Sequence, residues 1–335
     1  GVVDMEDKIN EALLVKKDNF KIDEINIIFD EIIQSLDTSD FIRANLIDVQ
    51  RKNGFKVSLD VFKRIREAIR NEKIVYGTVT LDIKDKEICY GKQIFDKGVV
   101  LAITDGDVYT NFELILRNLL AYNTVIFEDN GYMIGTNGFV FRIVRSVLEK
   151  YGYGANLIQW TNLDLEFADF ANVDLVICVG SHFIQRKVLE RSKSETLVSG
   201  YNYFDIYIES DKHMDFIRKI VSLNLNLNLY VKEGIKNDFD NVIWVSDLDE
   251  AIGQINYNGN GFSTAIFTDD NAAASKFIKE VKSSIIVVNT SPSIERILDI
   301  RQSDLVRFKS IIYPSAWYLC LNAGNIMMIY FFNYV

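Results

Sequence analysis

The chain has 335 residues, 48% hydrophobic, 12% aromatic and 25% charged, which can bury a sizeable core and excludes a disordered segment or a small disulfide scaffold. Its formal net charge of -10 argues against general affinity for nucleic acid or anionic membrane, because phosphate binding rests on clustered Lys and Arg and no basic stripe is present. Cys89, Cys178 and Cys320 stand far apart, with no CxxC spacing and no histidine cluster, so neither disulfides nor a zinc site are expected and a reducing cytoplasm is the default compartment.

The opening GVVDMEDKIN carries acids early and no apolar stretch, so no signal peptide is expected. Residues 5 to 72 follow helical periodicity. Ile22, Ile25, Ile28, Phe29 and Ile32 recur at helical spacings, and SLDVFKRIREAIRN repeats the pattern after a Ser58 cap, which predicts two or three helices. IVYGTVTLDIKDKEICYGKQI then alternates β-branched residues on either side of the polar turn KDKE, the signature of a long β-hairpin.

From Val99 strands and helices take turns. The series runs strand VVLAIT, helix TNFELILRNLLAY, strand NTVIFED, helix FVFRIVRSVLEKYG, strand NLIQW, a short helix, strand VDLVICVG, a helix around RKVLERS and strand FDIYIES, so a first α/β unit ends near Ser210. A second runs helix MDFIRKIVSLN, strands LNLYVKEG and NVIWVS, helix DLDEAIGQIN, strand FSTAIFT, helix NAAASKFIKEV and strand SSIIVVN. Short apolar strands between amphipathic helices indicate parallel sheets covered on both faces, so the fold class is α/β, with two doubly wound domains in tandem. The segment SIERILDIRQSDLVRFKS reads as a helix with i to i+4 charge pairs. The final IMMIYFFNYV is too short to span a bilayer and reads as a strand.

The stretch VIWVSDLDEAIGQINYNGNGFSTAIFTDDNAAASKFIKEVKSSIIVVNTSP, Val242 to Pro292, resembles the aldehyde dehydrogenase superfamily, and most of all its gamma-glutamyl phosphate reductase branch. There a strand, an acidic LDEAI helix start, a G-x-S-x-AI-x-T strand, a helix and a V-x-VN strand follow in this order. GVVLAITDGDVYTNFELILRNLLAYNTVIFEDN is similar to the family's first strand, helix and second strand of the cofactor domain, and VDLVICVGS to a strand ending in a cofactor-facing Gly-Ser. The likeness implies a division into 1-75 with 96-207 as N-terminal helices and cofactor-type domain, 208-312 as catalytic-type domain, and 76-95 with 313-335 as oligomerisation hairpin and tail. Homo-oligomers through hairpin and tail are therefore implied, an active paralogue is the other candidate partner, and neither nucleic acid nor membrane is expected.

In that superfamily a cysteine thiolate attacks the carbonyl carbon and hydride passes to or from a nicotinamide, which needs a soft, low-pKa nucleophile. The resemblance places it between the helix MDFIRKIV and the strand LYVKEG, near Asn224 and Asn226 in SLNLNLNL, a loop that is shorter than the family's and holds no cysteine. No catalytic residue is therefore assigned. Cys178, inside an apolar strand, reads as a small buried hydrophobe; Cys89 and Cys320 lie away from the expected cleft, and Ser222 has no base at a recognisable spacing.

Thr104, Glu128, Gly180 and Ser181 are the implied contacts of NAD or NADP. Alone, Gly180-Ser181 is a common strand-to-helix turn whose amides could hold a pyrophosphate. No G-x-G-x-x-G follows a strand, although the aldehyde dehydrogenase fold does not use that fingerprint. At the end of the second strand many members carry a Lys, whereas VIFEDN offers Glu128 and Asp129, which would repel a 2′-phosphate or stand as a solvated strand end, so binding of the cofactor stands open to loss. His182 and His213 sit at helix starts as capping or surface residues. The pairs Asp269-Asp270 and Asp105/Asp107 lie in turns without a partner that defines a metal site, and no metal is assigned. The leading expectation is a degenerate aldehyde dehydrogenase-like protein with a structural, regulatory or ligand-binding role. The alternative is an active NAD(P)-dependent dehydrogenase or acyl-phosphate reductase with a displaced nucleophile.

Overall fold

A computed structural model describes residues 2–17, 21–72, 79–83, 88–166, 170, 172–294 and 298–314. Four helices open the described chain where periodicity predicts two or three: α1 (Val2–Leu13), α2 (Ile22–Leu36), α3 (Ser39–Gln50) and α4 (Leu59–Arg70). The Thr38 hydroxyl caps α3 by accepting from the Phe41 N–H. Ser58 occupies the cap position of α4 but makes no side-chain cap bond; its N–H donates to the Tyr109 hydroxyl at 2.7 Å instead. The hairpin follows as antiparallel β1 (Val79–Ile83) and β2 (Ile88–Asp96).

The first α/β unit contains β3 (Val99–Ile103), α5 (Val108–Leu120), β4 (Thr124–Glu128), α6 (Ile134–Lys150), β5 (Ile158–Thr161), β6 (Leu175–Val179), α7 (His182–Arg191) and β7 (Glu195–Ser199). Its sheet is all parallel, in the order β5-β4-β3-β6-β7. Every residue of β3, β4 and β6 is buried, as a strand covered on both faces requires. One face lies under α5 and α6, with α2 and α4 outside them, and Phe62 joins the layers edge-on to Phe112 at 4.8 Å between ring centroids. The other face is covered by α7 and, over the β3-β4-β5 half, by Met5, Ile9 and Ala12 of α1. Between β5 and β6 a short helix is predicted; the described residues there form none, and Leu163, Phe170 and Val173 complete that layer.

The second unit comprises β8 (Tyr203–Ile208), α8 (Met214–Val221), β9 (Asn226–Lys232), β10 (Val242–Val245), α9 (Leu248–Asn258), β11 (Ser263–Phe267), α10 (Asn271–Glu280) and β12 (Ile285–Val288). Its parallel sheet runs β10-β9-β8-β11-β12. This corrects the reading of FDIYIES as the last strand of the first unit, because β8 is the centre of the second sheet and the unpredicted edge strand β7 closes the first. The described residues of 293–309 form no α-helix either. Short 3-10 turns at Pro292–Ile294 and Gln302–Leu305 precede β13 (Val306–Pro314), which pairs antiparallel with β2, so Arg307 and Lys309 stand on a strand and not on a helix face. The tail strand predicted at the C-terminus and Cys320 lie outside the described residues. Among the described residues no helix is long and apolar enough to cross a membrane.

The N-terminal helices are fastened to the sheet by a carboxylate. Met133, at the cap position of α6, is left-handed (φ 49°) and offers the helix no side-chain cap. Asp48 of α3 takes that role: its Oδ2 accepts from the Thr136 N–H at 2.7 Å and Oγ1 at 2.6 Å, and Oδ1 from the Gly135 N–H at 3.2 Å. A negative charge at a helix N-terminus is favourable, and here it is buried as well. Gly135 permits the approach, since a β-carbon there would stand 3.3 Å from the Ala44 carbonyl oxygen. Asp48→Ala leaves buried donors without an acceptor, and urea unfolding is expected to show a loss of about 3 kcal/mol. A loss within experimental error would mean that α3 contributes nothing through this contact.

Candidate functional site

The C-terminal edge of a parallel sheet is where open α/β folds take ligands, because helix N-termini converge there. Thr104, Glu128, Gly180 and Ser181 all stand on that edge of the first sheet, at the ends of the neighbouring strands β3, β4 and β6. Thr104 is buried and turned inward, its hydroxyl donating to Asn111 Oδ1 at 2.7 Å and accepting from the Gly106 N–H at 3.2 Å. Glu128 is buried too, not a solvated strand end, and burial first and Asp129 second push its carboxyl up to about 7. Beyond it, the Asp129 N–H donates to the Thr161 carbonyl, and the Thr161 hydroxyl bonds Asp4 of α1. Three carboxylates thus border the end of β4 and β5.

Between β3 and α5 the chain adds two more. Asp107 caps α5, accepting from the Tyr109 N–H at 2.8 Å and the Thr110 N–H at 3.3 Å, and burial raises its pKa. Asp105 is pushed up to about 6 by burial and then by Asp107. Asn202, in the link to the second unit, donates to Asp107 Oδ2 at 3.3 Å. Among the described residues no group of three or more His, Cys, Asp or Glu is placed to hold a metal ion. Asp270 caps α10, and Asp269 accepts from Ser210 and Lys212, so that pair is used structurally.

Gly180-Ser181 leads directly into α7, and Ser181 makes no side-chain cap bond. The cap comes from the second unit: Asn260, in the loop after α9, accepts the His182 N–H on its Oδ1 at 2.9 Å. His182 is tied there as well, its ring bonded to the Gly259 backbone and its pKa held low by burial and by Arg186. His213 stands 3.9 Å from Asp269 in a separate turn.

A dinucleotide pyrophosphate takes free amides at a helix start, and a carboxylate beside the ribose accepts from its hydroxyls but repels a 2′-phosphate. Here the first amide of α7 is bonded within the protein, and the end of β4 carries Glu128 and Asp129. The α7 start is thus engaged within the protein, and the carboxylates at the end of β4 disfavour a 2′-phosphate.

The expected nucleophile position is the link between α8 and β9, which consists of Ser222, Leu223, Asn224 and Leu225. Asn224 adopts a left-handed turn (φ 52°), a conformation asparagine tolerates. Asn226 opens β9 and donates to the Asn202 carbonyl at 3.3 Å. Leu227 and Leu229 pack into the core under α8, while Asn228, on the other face, donates to Asp205 Oδ1 at 2.9 Å. Asp205 was not singled out by its sequence context, yet it is fully buried in β8 and also accepts the Asn260 N–H at 2.9 Å. Burial pushes its carboxyl up to about 6 against the opposing pull of those donors. A lone acid inside the apolar run YFDIYI is the signal that marks it.

Cys178 is fully buried in β6, and burial first, then Asp105, push its thiol up to about 12. It is neither accessible nor ionised at neutral pH. Cys89 falls within β2, in register with Ile83 and Tyr313.

Glu128, Asp105 and Asp205 share a sign. Each is raised from an unfolded value near 4.5 or 3.8, so between those values and about 6 to 7 the folded chain binds more protons than the unfolded one. Their stabilising contribution is complete below the unfolded values and is lost as pH rises through 6 to 7. Glu31, Glu250 and Asp269, held low by hydrogen bonds, act only below about 4.5. The melting temperature is therefore expected to rise by a few degrees from pH 7.5 to about 5, and Glu128→Gln to flatten the upper part of that slope. A melting temperature that falls steadily below pH 7 would contradict these environments.

No family model matches the chain. Among curated proteins, the gamma-glutamyl phosphate reductase of Thermodesulfovibrio yellowstonii is 23% identical over 325 residues, covering 75% of this chain and 78% of that protein. The corresponding reductase of Geotalea daltonii is 49% identical over 47 residues, 14% of this chain and 11% of its own length. Among solved structures, gamma-glutamyl phosphate reductase from Thermotoga maritima superposes with a TM-score of 0.64 at 17% identity, covering 93% of this chain and 98% of that one. Glyceraldehyde-3-phosphate dehydrogenase GapN from Methanocaldococcus jannaschii, complexed with NADP, gives 0.65 at 12% identity, covering 93% and 94%. This chain has the aldehyde dehydrogenase fold, and in sequence and fold alike it is similar to the gamma-glutamyl phosphate reductases.

Proposed function

We propose that this chain is a degenerate member of the aldehyde dehydrogenase type, without thiol-dependent redox activity, serving as a self-associating structural, regulatory or ligand-binding component. The observation that carries the reading is the α8–β9 link. Covalent catalysis there needs a thiolate that can form and later release a bond to the carbonyl carbon. The link offers Ser222, Leu223, Asn224 and Leu225, and the Ser222 hydroxyl is spent on the Lys219 carbonyl at 2.7 Å. The asparagines that follow are engaged by Asn202 and Asp205. Cys178, the cysteine nearest in sequence, is buried with a raised pKa. The second reading, an active NAD(P)-dependent dehydrogenase or acyl-phosphate reductase with a displaced nucleophile, draws on the reductase and dehydrogenase names of its relatives and on their NADP complexes.

Self-association is supported by the β1-β2-β13 sheet. Residues Phe308 and Ile312 of β13 are exposed, and a long strand of this kind beside a sheet edge invites pairing with another chain. Light scattering is expected to give at least a dimer mass, and Phe308→Lys to lower it; a monomer at micromolar concentration would remove this part of the reading.

Incubation with short aldehydes and NAD or NADP, or with an acyl phosphate and NADPH, is expected to produce no change in nicotinamide absorbance above a protein-free control. Turnover that Cys89→Ala or Cys320→Ala abolishes would establish the displaced nucleophile and end the degenerate reading.

A further inference from the structure

The first turn of α7 carries no acidic residue and the last turn of α9 no basic one, so neither helix end is matched by a charge of its own. They are matched by each other. The α9 C-terminus and the loop behind it present carbonyls to the α7 N-terminus, whose donors take them in order. Asn260 Oδ1 accepts the His182 N–H at 2.9 Å, and the Asn260 carbonyl accepts from Gln185 Nε2 at 3.0 Å. The Gly259 backbone bonds the His182 ring. Arg186 donates to the Tyr257 carbonyl at 3.1 Å and lies 4.3 Å above the Tyr257 ring. The negative end of one helix thus sits on the positive end of another across the two α/β units.

The loop is fixed from behind and fitted from the side. Asp205 holds the Asn260 N–H at 2.9 Å and its Nδ2 at 3.5 Å, so every polar group of Asn260 is engaged. A β-carbon at Gly200 would collide with the Asn260 carbonyl, and one at Gly259 with the Ile255 carbonyl and Asp205. Bare α-carbons at both places allow the close approach. Asn260 and Gln185 are buried, which a casual surface contact would not require.

We propose that the Gly259–Asn260 loop is an intramolecular plug of the α7 N-terminus, an autoinhibitory contact that excludes the pyrophosphate of a dinucleotide while the two α/β units are apposed. A phosphate oxygen and the Asn260 carboxamide oxygen compete for the same His182 amide, and one N–H cannot serve both at full strength. Ser181, which ought to cap its own helix, makes no cap bond, so the plug supplies what the helix start lacks. Dinucleotide binding then requires separation of the units, and anything that holds them together keeps the site shut. The plug goes beyond the missing thiol and is read by binding alone, so either proposal can fail without the other.

The test is calorimetric titration of the full chain with inorganic pyrophosphate and with NADH, alongside amide hydrogen exchange of the segment 180–187. For the wild type no saturation is expected at low millimolar concentration of either probe, with a protected His182 amide. Asn260→Ala is expected to expose that amide and to tighten pyrophosphate by roughly tenfold, the worth of one charge-assisted hydrogen bond regained. Asp205→Asn, which keeps the volume but loosens the loop from behind, is expected to give the same gain in smaller measure and decides the matter if Asn260→Ala does not fold. A gain for pyrophosphate without one for NADH supports the plug and assigns the remaining loss to Glu128 and Asp129. Micromolar NADH binding by the wild type overturns the proposal. So does a folded Asn260→Ala protein whose His182 amide exchanges faster yet binds pyrophosphate no better.

Discussion

Asp205 is a carboxylate in the centre of a parallel sheet, with no cation among the partners that hold it. An isolated charge in such a place is costly by several kcal/mol, and the group responds by shifting its pKa and by gathering donors. Its donors come from two directions. Asn228 reaches it along the sheet, and Asn260 reaches it from the loop that touches the first α/β unit. Beside it the Tyr230 hydroxyl is buried with no hydrogen-bond partner, and burial and Asp205 both raise its pKa. The interior here is polar at some cost to stability, and the structure makes use of that polarity to fix the loop that bridges the two units.

That arrangement changes the meaning of the Leu-Asn alternation. Period 2 puts the leucines against the core under α8 and the asparagines on the opposite face, where Asn228 serves Asp205 and Asn226 serves the link between the units. The asparagines are therefore fastened parts of a junction. A cysteine would not simply take their place. Asn224 has a left-handed backbone that costs most residues about 1 to 2 kcal/mol, and a cysteine at 228 would leave Asp205 short of a donor.

The regular parts of this fold are plain in the residue pattern, since buried parallel strands such as VVLAI and LVICV and the helix starts at Asp107, Asp247 and Asp270 need only local chemistry. What escaped the pattern depended on partners distant in the chain. Nothing local distinguishes FDIYIES as the centre of the second sheet from the edge of the first, because a strand buried on both faces looks the same in either. The charges of 293–309 mimic i to i+4 pairing, yet its last residues, from Val306 on, enter strand β13 because β2 offers a full antiparallel ladder, and tertiary pairing overrides a weak helical preference. Of the candidate site, Thr104, Glu128, Gly180 and Ser181 were legible as strand ends. Asn260 and Gln185 were not, since an asparagine in YNGNGF reads as an ordinary turn until a helix end from another unit is placed against it.

The electrostatics of the junction point in one direction. Asp4, Glu128 and Asp129 stand at one end of the first sheet's ligand edge, and Asp105 and Asp107 at its middle. Where these groups are ionised, an acidic edge lowers the local concentration of a phosphate-bearing ligand, and the raised pKa values of Glu128, Asp105 and Asp107 make that field grow as pH rises. Two cations stand in the first turns of α7. Arg186 is committed to Tyr257, and Lys187 is paired with Glu166. The fold has the aldehyde dehydrogenase framework, and at the α7 start it places its own Asn260 against the helix amide.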